Sequence, residues 1–540
     1  MSLSKSETVE EIERGKCTLG IEYGSTRIKA VLDNSVDEPI AVGTFDWENS
    51  LVGGYWTYGE KEIFDGLSAC YASLKADVKK KYGVTLSCLG GLGISAMMHG
   101  YLPFDAQGEL LVPFRTWRNA TTTQAANALT EIFAFHIPER WSIAHLYQAI
   151  LSGEQHVSKI AFFTTLSGFV HWRLTGEKVL SIGDASGMFP IDQQTKTYNA
   201  SMVDKFDALE SVRRLNIKVE KLLPRVLLAG EQAGILSEEG AHLLDAEGDL
   251  LAGCPVCPPE GDAGTGMIAT NSVAQRTGNV SAGTSVFSMV VLEHALKDQT
   301  VPAIDFVMTP VGDPVAMVHC NNCTSDINAW IELLKSYNDL MGFQVDTSEL
   351  YSKLFSSALS ADKAAGGLVS SPFVSGENIM DVQIGHPAVL RKQHAEFSIS
   401  NFMRMHIMAA FGTLKVGNDI LKRENVKIDK LYGHGGIFKT PKVAQSILAA
   451  AMGAPVTVLA TAGEGGAWGQ ALAASYMIHK SAGQSLADYL DKKVFVGMQG
   501  LTLQPDPADV AGYETFIKLF KQMNTVEKAA EAAIVEDQGE

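Results

Sequence analysis

A carboxylate set between glycines, with hydroxyl-bearing glycine turns nearby, is a pattern by which a chain could transfer a phosphoryl group to an alcohol. This sequence holds it at Pro258-Pro259-Glu260-Gly261-Asp262-Ala263-Gly264-Thr265-Gly266. Asp262 would be the base that takes the proton of the alcohol. Downstream, Thr277-Gly278-Asn279-Val280-Ser281-Ala282-Gly283-Thr284-Ser285 leads into the apolar run Val286 to Leu292. Its turn, Gly283-Thr284-Ser285, offers backbone N–H groups and hydroxyls to a phosphate. Near the N-terminus, Thr18 to Leu32 reads as two β-rich runs joined by Gly24-Ser25-Thr26, with Glu22 just before the turn. Either turn alone is no more than a glycine connection between strands. Together they stand almost half the chain apart, and a fold duplicated in this way would set two phosphate-facing hairpins on opposite walls of one cleft.

The elements that must position these residues follow from periodicity and punctuation. Tyr58 to Lys81 has helical spacing (Ile63, Leu67, Tyr71, Leu74, Val78) and ends at Gly83, a C-cap. Leu89 to Ser95 reads as a buried strand that delivers Met97-Met98-His99-Gly100 to its end. A second strand is expected after the Asp105 to Gly108 turn, with Val112 to Asn119 running into a helix that starts near Thr121 to Thr123. Ile160 to Gly176 reads as one amphipathic helix, Ile182 to Gly187 as a polar loop, Met202 to Val226 as helical connections and Leu250 to Val256 as the strand leading to Asp262. In the second half, helices are expected over Thr324 to Met341 and Ile399 to Leu421, and a strand over Lys430 to His434 opening into Gly435-Gly436. Thr440-Pro441 reads as the N-cap and first turn of a helix through Met452. A strand at Val456 to Leu459, a small-residue helix from Glu464 and an Ala/Glu-rich helix over Val526 to Glu540 complete the chain.

Composition narrows the function. At 540 residues and 46% hydrophobic content the chain is too long for one core, so two domains are expected. A net charge of −17 with no long basic stripe argues against nucleic acid or an anionic membrane. The charged start of the chain lacks an apolar signal region and no run of 18 apolar residues occurs, which together predict a soluble cytoplasmic protein. Seven cysteines include Cys254-Pro255-Val256-Cys257 and Cys320-Asn321-Asn322-Cys323, a pairing that a four-thiolate zinc site would need. The wide gap between the pairs and the apolar surroundings of the first favour reduced structural thiols.

In this order, the Gly20 to Ala30 hairpin, Met98-His99-Gly100, the helix end Phe169 to Gly176, Gly261-Asp262-Ala263, Ser281 to Ser285, and Gly433 to Gly436 followed by Thr440-Pro441 resemble the FGGY carbohydrate kinases. The resemblance covers Lys16 to Gly500. It implies an α/β fold of two actin-like (ribonuclease-H-like) domains around a central cleft: 16–268 with the sugar site and first hairpin, 269–505 with the ATP site, and 506–540 as a helical tail. It also implies transfer of the γ-phosphoryl of ATP to a sugar or polyol hydroxyl with Mg²⁺.

Carried over position by position, the resemblance implies Asp262 as catalytic base, which also meets the substrate, and Gly24, Ser25, Thr26, Gly283, Thr284 and Ser285 as phosphate-binding residues. Gly435, Gly436 and Thr440 fall on the adenosine-binding segment, and Glu22 stands where a metal-bound water would be held. The Met-His-Gly run resembles that of xylulokinases, so Met98, His99 and Trp117 are expected to face the sugar. The sequence departs from the family at three places: Glu22 stands for the usual Asp, Thr440 follows Lys439 where Ser is usual, and Trp117-Arg118-Asn119 replaces Trp-Asn-Asp. The last could re-aim the reading of the sugar's middle hydroxyls. A pentulose such as xylulose is the expected substrate, with L-ribulose, other ketoses and polyols as alternatives. A separate class, an actin-like ATP switch that phosphorylates no sugar, is also compatible with the fold. The expected partner is a small sugar, with a homodimer as the assembly compatible with the sequence.

Overall fold

The computed structural model describes residues 3–459, 465–498 and 500–534. Two mixed sheets of seven strands each carry the chain. In the first, Thr18–Tyr23 forms an antiparallel hairpin with Arg27–Asp33 and lies parallel to Gly91–Ala96 on its other side, with Tyr23 opposite Ala96. Pro39–Asp46 extends one edge; Pro255–Val256 and Gly234–Ile235 extend the other. In the second, Thr277–Ala282 pairs antiparallel with Val286–Val291 and parallel with Lys430–His434. The order continues outward through Pro314–Cys320 and Asp305–Met308 on one side and Val456–Leu459 and Gly500–Leu503 on the other.

Thr18–Tyr23 is buried on both faces along most of its length, because helices cover both. On one side, Glu60–Tyr82 buries Ile63, Leu67, Cys70, Tyr71, Leu74 and Val78, and Gly83 ends it in the left-handed conformation with its N–H on the Lys79 carbonyl. Truncating a side chain such as Leu67 to alanine in this layer would cost about 2–5 kcal/mol. On the other side, Gly465–His479 comes so close that a Cβ on Gly20 would lie 2.0 Å from the Ala467 carbonyl oxygen. Its small residues permit that approach, and although late in the sequence it packs on the first sheet and wedges against helix Asp262–Ala269. Glu464, the expected start of this helix, lies outside the described residues.

Several sequence expectations shift, each for a local reason. No full strand follows the 105–108 turn: Leu110 and Arg115 make only single bridges to Phe104 and Tyr101, and Pro113 between them lacks a donor. The expected helix at 160–176 divides, because Phe162–Thr164 pairs with Leu102–Phe104 and the helix Leu166–Thr175 starts only after Thr165, whose side chain caps Gly168. The polar loop at 182–187 contains a buried helical turn, Ile182–Ala185. The strand at 250–256 shrinks to Pro255–Val256, since Asp245 gathers the N–H groups of Glu247, Asp249 and Leu250 into a loop held by Lys75. The helix at 399–421 breaks at Phe411; Gly412, which follows, leaves the space that Phe520 fills. Thr440-Pro441 does not cap a helix: a 3₁₀ turn spans Gly436–Lys439, and the helix runs from Val443 with Lys442 at its N-cap. The Ala/Glu-rich stretch forms the last turns of Pro507–Ala533, which buries Tyr513, Phe516, Ile517, Phe520 and Met523; residues beyond 534 lie outside the described residues.

The two sheets meet at a junction where the Met308 N–H donates to Ser186 Oγ (3.0 Å), the Ala229 N–H to the Pro310 carbonyl (2.8 Å) and the His136 N–H to the Gln299 carbonyl (2.7 Å). Among the described residues no helix is long and apolar enough to cross a membrane.

Candidate active site

Asp262 owes its place to strand pairing. Glu260–Gly261 pairs with Gly91–Ala96, with Gly261 opposite Ala96, so Asp262 comes out beside Met97 to His99 as the first residue of helix Asp262–Ala269. Its Oδ1 accepts the N–H of Met98 (3.2 Å) and of Ala263 (2.9 Å). The side chain opens on the cleft at depth. That depth raises its pKa above the ordinary carboxylate value, while the N–H donors and the charge of Arg140 oppose the rise. An ionised carboxylate held by two backbone donors at a cleft floor can accept a proton without turning.

Glu22 lies near the end of Thr18–Tyr23, and its carboxylate accepts the N–H groups of Gly466 and Ala467 in the first turn of Gly465–His479. A Cβ on Gly466 would sit 2.1 Å from Glu22 Oε1, so the glycine makes room for the acid. Burial, together with repulsion from Asp262, pushes Glu22 up to about 7. An acid facing the cleft with a like charge beside it is a place where a divalent cation would relieve repulsion, and Mg²⁺ is commonly held by one or two carboxylates plus substrate phosphates. Glu22 fits that role.

His99 is a non-glycine residue at φ 68°, buried against Trp141. Its Nδ1 lies 3.2 Å from the Gly187 carbonyl, which can only accept, so Nδ1 carries the proton and Nε2 is left as an acceptor. Burial and Arg140 lower its pKa to about 3, so the ring is neutral. Backbone strain of this kind persists where the surroundings enforce it, most often at functional sites.

The hairpin tips keep their carbonyls occupied. Gly24 accepts the Trp47 indole N–H (2.8 Å), Ser25 the Tyr58 hydroxyl (2.6 Å), Gly283 the Thr324 N–H and hydroxyl, and Thr284 the Cys323 N–H (2.9 Å). The Asn321-Asn322-Cys323 turn thus braces the second hairpin. A Cβ on Gly283 or on Gly436 would meet nothing within 4 Å, so both face open space. Gly435, at φ 110°, passes 2.2 Å in Cβ position from the Ala282 carbonyl, which joins the 435–436 turn to the second hairpin. Thr440 follows the 3₁₀ turn, half-buried.

Trp117 is brought to the first hairpin, its indole N–H donating to Ser25 Oγ (3.3 Å), with 39% of its surface exposed. Its two neighbours are engaged elsewhere. Arg118 stacks over Trp56 at 4.3 Å, and buried Asn119 bonds the Trp56 N–H and carbonyl and the Thr116 carbonyl. The Asn119 amide, part of the departure from the family pattern, holds the 55–57 segment.

Four further residues converge on the site without having been singled out from sequence. Asp184, on the buried turn, accepts Thr165 Oγ1 (2.7 Å) and Ser167 Oγ, and burial raises it to about 7; its Oδ1 has no partner. Glu260 lies behind it. Arg140 pairs across the junction with Asp305, which also faces His136 at 3.4 Å. Burial alone would raise Asp305, but Arg140 and His136 hold it well below the usual carboxylate range. A Gly-Asp pair in a polar run and an Arg before Trp141 were the available signals, and both are common in loops.

The cysteine pairs do not converge on a metal. All seven thiols are free, Cys254 and Cys323 are pushed up to about 12 by burial, and among the described residues no group of three His, Cys, Asp or Glu side chains could hold an ion.

Two mixed sheets of the same plan, each centred on a hairpin, define a protein of the actin-like fold. Residues 17–267 match the N-terminal domain and residues 278–478 the C-terminal domain of the FGGY carbohydrate kinases, and the chain belongs to that family. Membership makes ATP the phosphoryl donor and sets the switch reading aside. Among its relatives, the xylulose kinase of Lactococcus lactis subsp. lactis is 21% identical over 546 residues, covering 96% of this chain and 99% of the relative. The xylulose kinase of Haemophilus influenzae is 22% identical over 442 residues, covering 77% and 82%. The crystal structure of a ligand-bound xylulose kinase from Lactobacillus acidophilus superposes with a TM-score of 0.78 at 15% identity over 96% of this chain and 99% of that one. A gluconate kinase from the same organism gives 0.74 at 16% identity, over 95% and 98%.

Proposed function

We propose that the protein phosphorylates the terminal hydroxyl of an open-chain ketose, a pentulose such as xylulose, at the expense of ATP. The observation that carries this reading is the joining of Asp262 to the Met98 N–H, which sets a cleft-facing base against the strained His99. Asp262 accepts the hydroxyl proton as the oxygen attacks the γ-phosphorus. His99, neutral with Nε2 as acceptor, receives a hydroxyl further along the sugar, Met98 gives the carbon chain an apolar contact, and Trp117 closes the side toward the first hairpin. Gly24 to Thr26 and Gly283 to Ser285 present N–H groups and hydroxyls to the phosphates, while Gly435, Gly436 and Thr440 border the adenosine. Glu22 would hold Mg²⁺ through a water, and the ion would neutralise charge on the phosphates.

We divide the chain at 16–268, 269–505 and 506–540, with helix Gly465–His479 crossing to the first sheet. Seven free thiols support a cytoplasmic setting. The relatives named as xylulose kinases support the pentulose; the gluconate kinase neighbour keeps an aldonate as the second reading. A coupled ADP-release assay over D- and L-xylulose, D- and L-ribulose, hexuloses, glycerol and gluconate tests it. The highest kcat/KM is expected on a pentulose, and inert pentuloses beside active gluconate or glycerol would overturn the choice.

A further inference from the structure

Behind Asp262 lies a second carboxyl that faces no cation among its bonded partners. Glu260 is 2% exposed. Its Oε1 accepts the Gly261 N–H (2.9 Å), Ser181 Oγ bonds Oε2, and the Asp184 N–H also reaches the carboxyl. Its surroundings are shaped to it: a Cβ on Gly183 would stand 2.4 Å from Oε1 and one on Gly264 would stand 2.7 Å from Cδ. Strand Glu260–Gly261, the turn Ile182–Ala185 and the first turn of helix Asp262–Ala269 therefore close around one side chain. The Ser181 N–H adds a backbone tie to the Pro259 carbonyl (2.9 Å).

From this packing we infer that Glu260 is a positioning residue for phosphoryl transfer: its carboxyl fastens the Asp184 turn to the strand that presents Asp262, and so fixes where the base stands in the cleft. The inference rests on Asp262 being the base. Strand Glu260–Gly261 is only two residues long, and such a short strand sets no side-chain direction unaided. Glu260 supplies a further constraint besides the bond from the Met98 N–H to Asp262. Burial, with Asp184 adding repulsion, raises Glu260 to about 8 against the opposing pull of the Ser181 hydroxyl and the two N–H groups, and keeps it a neutral acid at physiological pH. In the structure the Ser181 hydroxyl donates to Oε2; once that hydroxyl turns to accept, a neutral acid can donate to it while accepting the two N–H groups, and so can a glutamine of the same shape.

That equivalence gives the test. Steady-state kinetics of the full-length enzyme are compared for Glu260→Ala, Glu260→Gln, Asp262→Asn and the Glu260→Ala/Asp262→Asn double variant, with ketose and ATP varied separately. Glu260→Ala is expected to lower kcat by at least about tenfold with the apparent ATP constant unchanged, because a misplaced reacting group costs rate steeply. Glu260→Gln is expected to stay within about threefold of wild type, and the double variant to be no slower than Asp262→Asn, as for residues acting through one another. Ser181→Ala, which removes one partner and leaves the acid, should fall between wild type and Glu260→Ala, and it decides the matter if Glu260→Ala does not fold. A glutamine variant as slow as the alanine variant, Ser181→Ala at wild-type kcat, or a double variant slower than Asp262→Asn by the full alanine factor would overturn the proposal. Wild-type kcat in Asp262→Asn would remove the base and this proposal together, whereas an inactive Asp262→Asn beside a fully active Glu260→Ala would remove this proposal alone.

Discussion

The central strands of the two sheets, Thr18–Tyr23 and Thr277–Ala282, are built alike and furnished differently. Each forms a hairpin with a glycine at its tip, and each lies parallel to a later strand. Two residues before the glycine, the first has Glu22 and the second Ser281. Beyond the parallel strand, the first sheet delivers Met98 and His99 beside Asp262, while the second delivers the open Gly435-Gly436 turn. The first half therefore gathers acids at Asp262 and in the interior behind it: Glu22, Asp184, Glu260 and Asp262 all have raised pKa values, with burial the main cause. The second half presents backbone and hydroxyls around open space at Gly283 and Gly436. Carboxylates there would repel a triphosphate. In the proposed reaction the duplicated sheet supplies geometry, and the residues at equivalent places would divide proton chemistry from nucleotide holding.

Substitutions on either side of that division should therefore differ in kind. Asp262→Asn keeps the shape of the base and removes its charge; we expect kcat to fall at least about a hundredfold, within the range for general bases, with the ATP constant little changed. Steady-state turnover near wild type would contradict the assignment. Gly283→Val adds bulk where the protein itself leaves room, so any effect reads the ligand: the apparent ATP constant should rise about tenfold, equivalent to ~1.4 kcal/mol, and the sugar constant should stay nearly fixed. A larger rise in the sugar constant would turn that hairpin toward the sugar.

The architecture was more legible in the sequence than the site. Strand alternation and glycine turns at 18–33 and 277–292 mark both hairpins because their signals are local, as are the cap at Gly83 and the helix it ends. Asp262 was visible because glycines frame it. Asp184 and Glu260 were not, since their importance comes from Ser181, Thr165 and Ser167 folding around them, contacts between distant segments that no short pattern records. Arg140 and Asp305 meet only once the two sheets are apposed. Trp117-Arg118-Asn119 shows the converse: it drew notice as a departure, yet Asn119 is bonded to the backbone of Trp56 and Thr116, and Arg118 lies over Trp56 with one N–H on Asn49 Oδ1. Family resemblance locates positions, and only the packing tells which of their polar atoms are still available.

Smaller effects would sharpen the contrast. Glu22, raised to about 7, takes up a proton as the pH falls through neutrality, and a protonated carboxyl releases a cation. The Mg²⁺ concentration for half-maximal turnover should therefore rise a few-fold as pH is lowered from roughly 8 to 6. Glu22→Gln should need more Mg²⁺ at every pH and lose that dependence; an unchanged requirement would detach Glu22 from the metal. The acid limb of kcat/KM for the sugar should also lie above the ordinary aspartate range of about 4, because a raised base loses its ionised form earlier on acidification. A limb at or below that range would place the base elsewhere.

The division of labour itself is tested most directly by calorimetric binding of a non-hydrolysable ATP analogue and of the preferred ketose to Asp262→Asn and Gly283→Val. Asp262→Asn should bind the nucleotide within about twofold of wild type, while Gly283→Val should bind the ketose normally and the nucleotide about tenfold more weakly. If both variants instead lost affinity for the same ligand, the two halves would not be doing separate work.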